Sequence, residues 1–138
     1  MIPISFRPTG FNLGGWLSQS PLTSSHMESF VVEEDFARIA SWGFNSVRLP
    51  VDGEWLFREE GRGSLDPEAF RFIVKVLGWA KKTGLLVILD VHSVPWHSFA
   101  RRELTDLRDR PEILRAFCGQ WKRLAEKLKG WDAPLWYD

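Results

Sequence analysis

The segment Leu85-Leu86-Val87-Ile88-Leu89-Asp90-Val91 constrains the fold more than any other. It is nearly continuously apolar, and far too short to cross a membrane, so it reads as a strand buried on both faces. Such a strand suits a parallel sheet wrapped by helices, not an antiparallel sheet with one wet face. The flanking segments agree. Before it, Asp66-Pro67-Glu68 is a helix start: Asp66 can cap, Pro67 fits the first turn, and Glu68 favours the positive helix end. That helix places Phe70, Ile73, Val74, Leu77 and Ala80 on one stripe and stops at Thr83-Gly84. After the strand, Pro111 to Lys129 shows Leu114, Phe117, Trp121, Leu124 and Leu128 at helical spacing, ended by Gly130.

The same alternation runs through the rest of the chain. Phe11-Asn12-Leu13 reads as a short strand closed by a turn at Gly14-Gly15. Glu33 to Trp42 carries Phe36, Ile39 and Ala40 on one helical face and stops at Gly43. Phe44 to Leu49 follows as a strand halted by Pro50, and Pro134 to Asp138 opens another. The series is β-α-β-α-β-α-β, with right-handed crossovers expected. Repeats of roughly 35 to 45 residues, with long loops after the strands, suit an α/β fold of the (β/α)8 TIM-barrel type. A whole barrel takes about 250 residues. Residues 1–138 are therefore expected to supply the first three to four β/α units, the N-terminal half of a barrel domain, broken off at the start of the fourth strand. Open edges at the first and fourth strands lead us to expect self-association.

Charge and composition exclude several functions. Eighteen basic and eighteen acidic residues cancel, which gives a nucleic-acid partner no electrostatic support. No apolar run is long enough for a membrane span. A single cysteine, Cys118, rules out a disulfide framework, and three histidines without ligand spacing give no metal site. No cofactor is implied: the glycines of Gly10 to Gly15 lack the dinucleotide order, and no phosphate-loop lysine follows. The first eight residues lack the pattern of a secretory signal, so the expected location is cytoplasmic. Eight tryptophans serve either as core filler or as platforms for flat ligand faces such as sugar rings.

In a barrel the chemistry sits at the C-terminal ends of the strands. Asn12 ends the first strand, Arg48 lies in the second, and Asp90 and His92 close the third. An arginine in Ser46-Val47-Arg48-Leu49-Pro50 is costly to bury without an anion, and its own strand supplies none. Arg48 is thus expected to face a carboxylate from another element, as a rim ion pair or as part of a site. His92 reads equally as a satisfied core histidine or a site residue, and Asp90 as a brace. His26 and His97 fall in loops. Trp16, Trp55 and Trp96 each suit packing better than a cleft.

These residues also carry a resemblance. Gly10-Phe11-Asn12-Leu13-Gly14-Gly15-Trp16-Leu17 resembles the opening strand of family 5 glycoside hydrolases, the cellulase and exo-glucanase group. His26-Met27-Glu28-Ser29-Phe30 followed by Glu33-Glu34-Asp35-Phe36 resembles the lead into their first helix. The run from Ile39 to Asp52, with Ser46-Val47-Arg48-Leu49-Pro50 at its centre, is similar to their second-strand motif. Leu89-Asp90-Val91-His92-Ser93-Val94-Pro95 is similar to their third-strand pattern, D-x-H-x-x-P. The four motifs stand in the family's order at compatible spacing.

The resemblance implies a retaining β-glycosidase that acts on β-glucan or a related β-linked polysaccharide or oligosaccharide. Two glutamates, an acid/base and a nucleophile about 5–5.5 Å apart, do the chemistry in such enzymes. By position, Arg48 would support the nucleophile and His92 would hydrogen-bond the sugar, with Asn12 and Trp16 shaping the subsite. Neither glutamate has a match here. The acid/base would follow an asparagine just past Asp138, and Glu33, Glu34, Glu54, Glu59 and Glu60 sit at no matching strand end. No residue of the chain is therefore expected to be catalytic, and the chain alone is expected to be inactive. Ser93 and Trp96-His97 stand where many relatives have His and Gly. Two other functions fit the residues: a non-catalytic carbohydrate-binding module using its tryptophans, or a metal-independent barrel enzyme with Asp90 and His92 as a base pair.

Overall fold

The computed structural model describes residues 6–57, 64–93, 111–132 and 134–138. In chain order the elements are β1 (Gly10–Asn12), α1 (Ser24–Ser29), α2 (Glu33–Ser41), β2 (Ser46–Asp52), α3 (Gly53–Leu56), α4 (Pro67–Thr83), β3 (Leu86–Ser93), α5 (Pro111–Leu128) and β4 (Leu135–Tyr137). The four strands form one sheet in sequential order, every neighbour parallel. Gly10 lies beside Ser46, Ser46 beside Leu86, and Val87 beside Leu135. Sequential parallel strands joined by helices are the repeating unit of a barrel wall, and the expected α/β class holds.

The period-2 alternation of a strand divides the sheet into two faces. Val47, Leu49, Val51, Val87, Leu89 and Val91 are buried on one. The other carries Asn12, Arg48, Asp90 and His92, because Asn12 registers with Arg48, Arg48 with Ile88, and Pro50 with Asp90. Helix α4 covers much of the apolar face. Asp66 Oδ1 accepts from the backbone N–H groups of Glu68 and Ala69 at 2.8 and 3.1 Å, and Gly84 closes the helix with φ 73°. Its buried residues are Ala69, Phe72, Ile73, Val76, Leu77, Trp79 and Ala80. Each large side chain among them contributes about 1.5–3 kcal/mol by leaving water.

Several expectations shift. The α4 stripe is rotated: Phe72, Val76 and Trp79 are buried, while Phe70 and Val74 are only half-buried. The reason is two-sided packing. Trp79 meets Phe36 of α2 and Trp16, and Phe70 turns toward α5, where Lys127 Nζ stands 5.2 Å from its ring centroid. On α5, Leu124 and Leu128 are buried, whereas Leu114 is exposed. The short helices α1 and α3 carry too few residues for a helical period, and both escape a reading by periodicity.

Pro50 does not halt β2; the strand runs on to Asp52. Leu13 N–H donates to the Arg48 carbonyl, and Asp52 N–H donates to the Leu17 carbonyl, each at 2.9 Å. Residues 48, 50 and 52 thus present their main-chain groups to the β1 side. Strand β1 ends at Asn12, so the missing N–H of Pro50 falls in the gap between these two bonds. Among the described residues no helix is long and apolar enough to cross a membrane.

Candidate functional site

Arg48 gathers the strand ends together. Its Nη2 lies 2.7 Å from Asp90 Oδ2 on β3, and its Nε donates to Asp138 Oδ2, just past β4, at 2.9 Å. Its Nη1 donates to Asn12 Oδ1 on β1, also at 2.9 Å. The anion that the sequence required therefore comes from the neighbouring strand and from the tail. Asp138 is held in turn, since its N–H donates to the Leu89 carbonyl at 2.9 Å. Three bonds in three directions fix the guanidinium plane, which a point-charge lysine would not achieve.

Asp90 is buried, and its Oδ2 serves two cations or dipoles at once. Besides Arg48 it meets Nδ1 of His92 at 2.7 Å. A carboxylate only accepts, so the network assigns the Nδ1 proton to His92. Asp90 is thus a brace between a strand-embedded cation and the imidazole. The Arg48 charge offsets the carboxylate, which weakens Asp90 as the activating partner of a catalytic base. His92 also occupies a special backbone position. Val51 registers with Val91, but Asp52 registers with Ser93, so His92 is the extra residue of a β-bulge. Bulges re-aim side chains, and they recur at barrel rims and active sites.

A second polar cluster, which no motif announced, closes the same rim. Asp52 Oδ1 accepts from the hydroxyls of Ser18 at 2.7 Å and Ser93 at 3.0 Å, and its Oδ2 accepts from Gln19 N–H at 3.1 Å. Ser93 Oγ accepts from Gly53 N–H at 3.3 Å. A Cβ on Gly53 would lie 2.1 Å from the Ser93 carbonyl oxygen, so only glycine permits this approach of β2 to β3. The signal in the sequence is a carboxylate at the end of a strand, but its serine partners lie 34 and 41 residues away.

Trp16 corrects the expected subsite. It is fully buried, stacks on Trp79 with centroids 6.2 Å apart, and donates from Nε1 to the Met27 carbonyl at 2.9 Å. An indole enclosed in this way reaches no sugar; it packs the core beneath the rim. Trp55 meets Phe72 edge-on. His26 lies in α1 and not in a loop: Thr23 Oγ1 caps the helix, the His26 ring stacks on Phe30, and its Nε2 bonds the Gly15 carbonyl at 2.8 Å. Trp96, His97, Pro95, Glu59 and Glu60 lie outside the described residues. Glu33 and Glu34 sit in the first turn of α2 and Glu54 in that of α3, and Glu33 pairs with Lys82 at 2.7 Å. Among the described residues, no group of three or more His, Cys, Asp or Glu side chains is placed to hold a metal.

Residues 8–138 match the Cellulase family, glycosyl hydrolase family 5. Endoglucanase C of Acetivibrio thermocellus is 34% identical over 125 residues, which cover 90% of this chain and 36% of that protein. The full-length tri-modular endo-β-1,4-glucanase B of Bacillus halodurans superposes with a TM-score of 0.73 at 20% identity, over 95% of this chain and 24% of its own. XacCel5A, solved in complex with cellopentaose, gives a TM-score of 0.62 at 31% identity, over 77% of this chain and 32% of its own. The chain thus spans 36% or less of the length of each of these three proteins. With a family match from residue 8 onward, and barrel enzymes superposing on its four parallel strands, the chain belongs to glycosyl hydrolase family 5 and carries the first strands and helices of a (β/α)8 barrel.

Proposed function

We propose that these residues form the substrate-positioning part of a retaining β-glycosidase acting on β-linked glucan, and that the 138-residue chain binds such a glycan without cleaving it. The observation that carries this reading is the Arg48 guanidinium, fixed from β1, β3 and the end of β4 at the rim where His92 is presented. A preformed cation costs no reorganisation when charge develops beside it, which is what the support of a carboxylate nucleophile requires. His92, its ring plane set by Asp90, orients the sugar through a hydrogen bond.

The cellopentaose complex of XacCel5A supports a β-glucan oligosaccharide as the ligand class. Among the described residues Arg48 is held by two aspartates and an asparagine, none of which occupies the place of a glutamate pair. Double displacement needs two carboxyl groups about 5–5.5 Å apart across the scissile bond. The test is incubation with a soluble β-glucan. Retention of the glycan without release of reducing ends is the expected outcome, and turnover by this chain alone contradicts it.

Self-association belongs to the same reading. Strands β1 and β4 are the edges of the described sheet, and Phe11 on β1 and Tyr137 on β4 are exposed. Sedimentation should show assemblies larger than one chain; a stable monomer that binds no hydrophobic dye would refute this.

A further inference from the structure

Asp52 occupies the N-cap position of α3, yet its side chain makes no cap hydrogen bond. An aspartate there ordinarily accepts from the first-turn N–H groups, a bond worth having at a helix start. This one instead reaches sideways. It takes the Ser18 hydroxyl and the Gln19 N–H from the segment after β1, and the Ser93 hydroxyl from the end of β3. Ser93 then supplies the acceptor that the Gly53 N–H would otherwise lack. Gln19 holds a left-handed φ of 56°, a conformation a glutamine adopts only when something fixes it, and here its N–H is bound to Asp52. Ser18 and Ser93 are both buried. The cluster therefore fastens the segment after β1 and the ends of β2 and β3 to one carboxylate.

The fastening lies against the bulge. Asp52 registers with Ser93, one residue past His92, and this pairing leaves His92 as the extra residue of β3. Without the Asp52–Ser93 bond, the end of β3 would be free to return to regular register, which would set His92 directly opposite Asp52, on the same face as before but tilted differently against Asp90. We propose that Asp52, acting through Ser93 and Ser18, is a positioning residue that locks the bulge and so sets the aim of the His92 imidazole. The inference rests on the sugar-binding reading above for its functional meaning, but not for its geometry.

The test compares the intact 138-residue chain with Asp52→Ala, Asp52→Asn, Ser93→Ala and Asp66→Ala. The last removes the cap of α4 and so controls for a general loss of stability. Two quantities are read: the imidazole nitrogen signals of His92 by NMR, assigned by their loss in His92→Gln, and the Kd for cellotetraose. In the wild-type chain the signals should show the proton held on Nδ1. Asp52→Ala and Ser93→Ala should shift them toward mixed tautomers and raise the Kd about tenfold, the loss of roughly one hydrogen bond to the sugar. Asp52→Asn, which keeps an acceptor for both serines, should retain most of the wild-type pattern, and Asp66→Ala should change neither quantity. Should Asp52→Ala not fold, Ser93→Ala carries the same comparison. Wild-type His92 signals in a folded Ser93→Ala or Asp52→Ala overturn the proposal. Absence of cellotetraose binding in the wild-type chain counts against the sugar-binding reading alone, and the His92 signals then decide the positioning role.

Discussion

Arg48 and Asp90 stand 2.7 Å apart across β2 and β3, and the same Asp90 oxygen accepts from His92. The pair is the hinge of the site, because it joins the arginine that faces three strands to the histidine on the bulge. Arg48→Met keeps much of the side-chain volume and removes the charge. Asp90 then remains a buried carboxylate with only His92 from this network, and we expect a loss of about 2–3 kcal/mol in urea unfolding. Arg48→Lys should fall between the two, since it restores charge without the three-way fork. Equal stability of wild type and Arg48→Met would show that the pair does not hold the rim.

Trp16 separates packing from binding. Trp16→Phe fills most of the space but leaves the Met27 carbonyl without its Nε1–H donor, a cost of about 1–3 kcal/mol. Trp16→Ala adds a cavity, and the cost should reach about 3–5 kcal/mol. Affinity for cellotetraose should be unchanged in Trp16→Phe. A selective loss of affinity at unaltered stability would return Trp16 to the subsite.

Gln120 lies inside α5 with neither side-chain atom bonded to any described residue. A buried amide without partners is destabilising, and an apolar replacement of similar length removes the penalty. Gln120→Met should stabilise the chain by about 1 kcal/mol, which for a domain of this size raises the thermal midpoint by about 3 °C. A lowered midpoint contradicts the assignment of an unpartnered amide.

Glu28 ties α1 to α4. Its carboxylate bonds Lys75 at 2.7 Å and lies 3.5 Å from Arg71, and the hydrogen bond from Lys75, aided by its charge and by Arg71, holds its pKa below the ordinary glutamate value. A lowered folded-state pKa means that the unfolded chain binds more protons over that interval. The contribution of Glu28 is therefore present above the ordinary glutamate pKa and is lost as pH falls through the lower folded value. The difference in thermal midpoint between wild type and Glu28→Gln should be largest near neutrality and shrink below about pH 4. A difference independent of pH would show that the carboxylate charge plays no part.

How much of this was legible in the residues depended on the range of each contact. The Leu85 to Val91 run, the Asp66-Pro67 helix start and the glycine stops at Gly43, Gly84 and Gly130 are local signals, and the structure places a strand, a helix and three positive-φ glycines there. Arg48 announced its need for an anion because burial makes a lone cation costly. Which carboxylates answered could not be read, since Asp90 lies on β3 and Asp138 just past β4. Pro50 misled because its missing N–H matters only if a neighbour would have used it, and β1 stops short. Asp52 stayed silent for the same reason as Trp16: its role is set by partners that only the folded sheet brings near.

The most direct test of the account is a calorimetric titration of cellotetraose into the wild-type chain and into His92→Ala. Measurable binding by the wild type is expected, with a loss of about tenfold in His92→Ala, the upper end for one neutral hydrogen bond. Equal affinity in the two chains, or no binding of any β-glucan oligosaccharide by the wild type, would contradict a substrate-positioning role for the Arg48–Asp90–His92 rim.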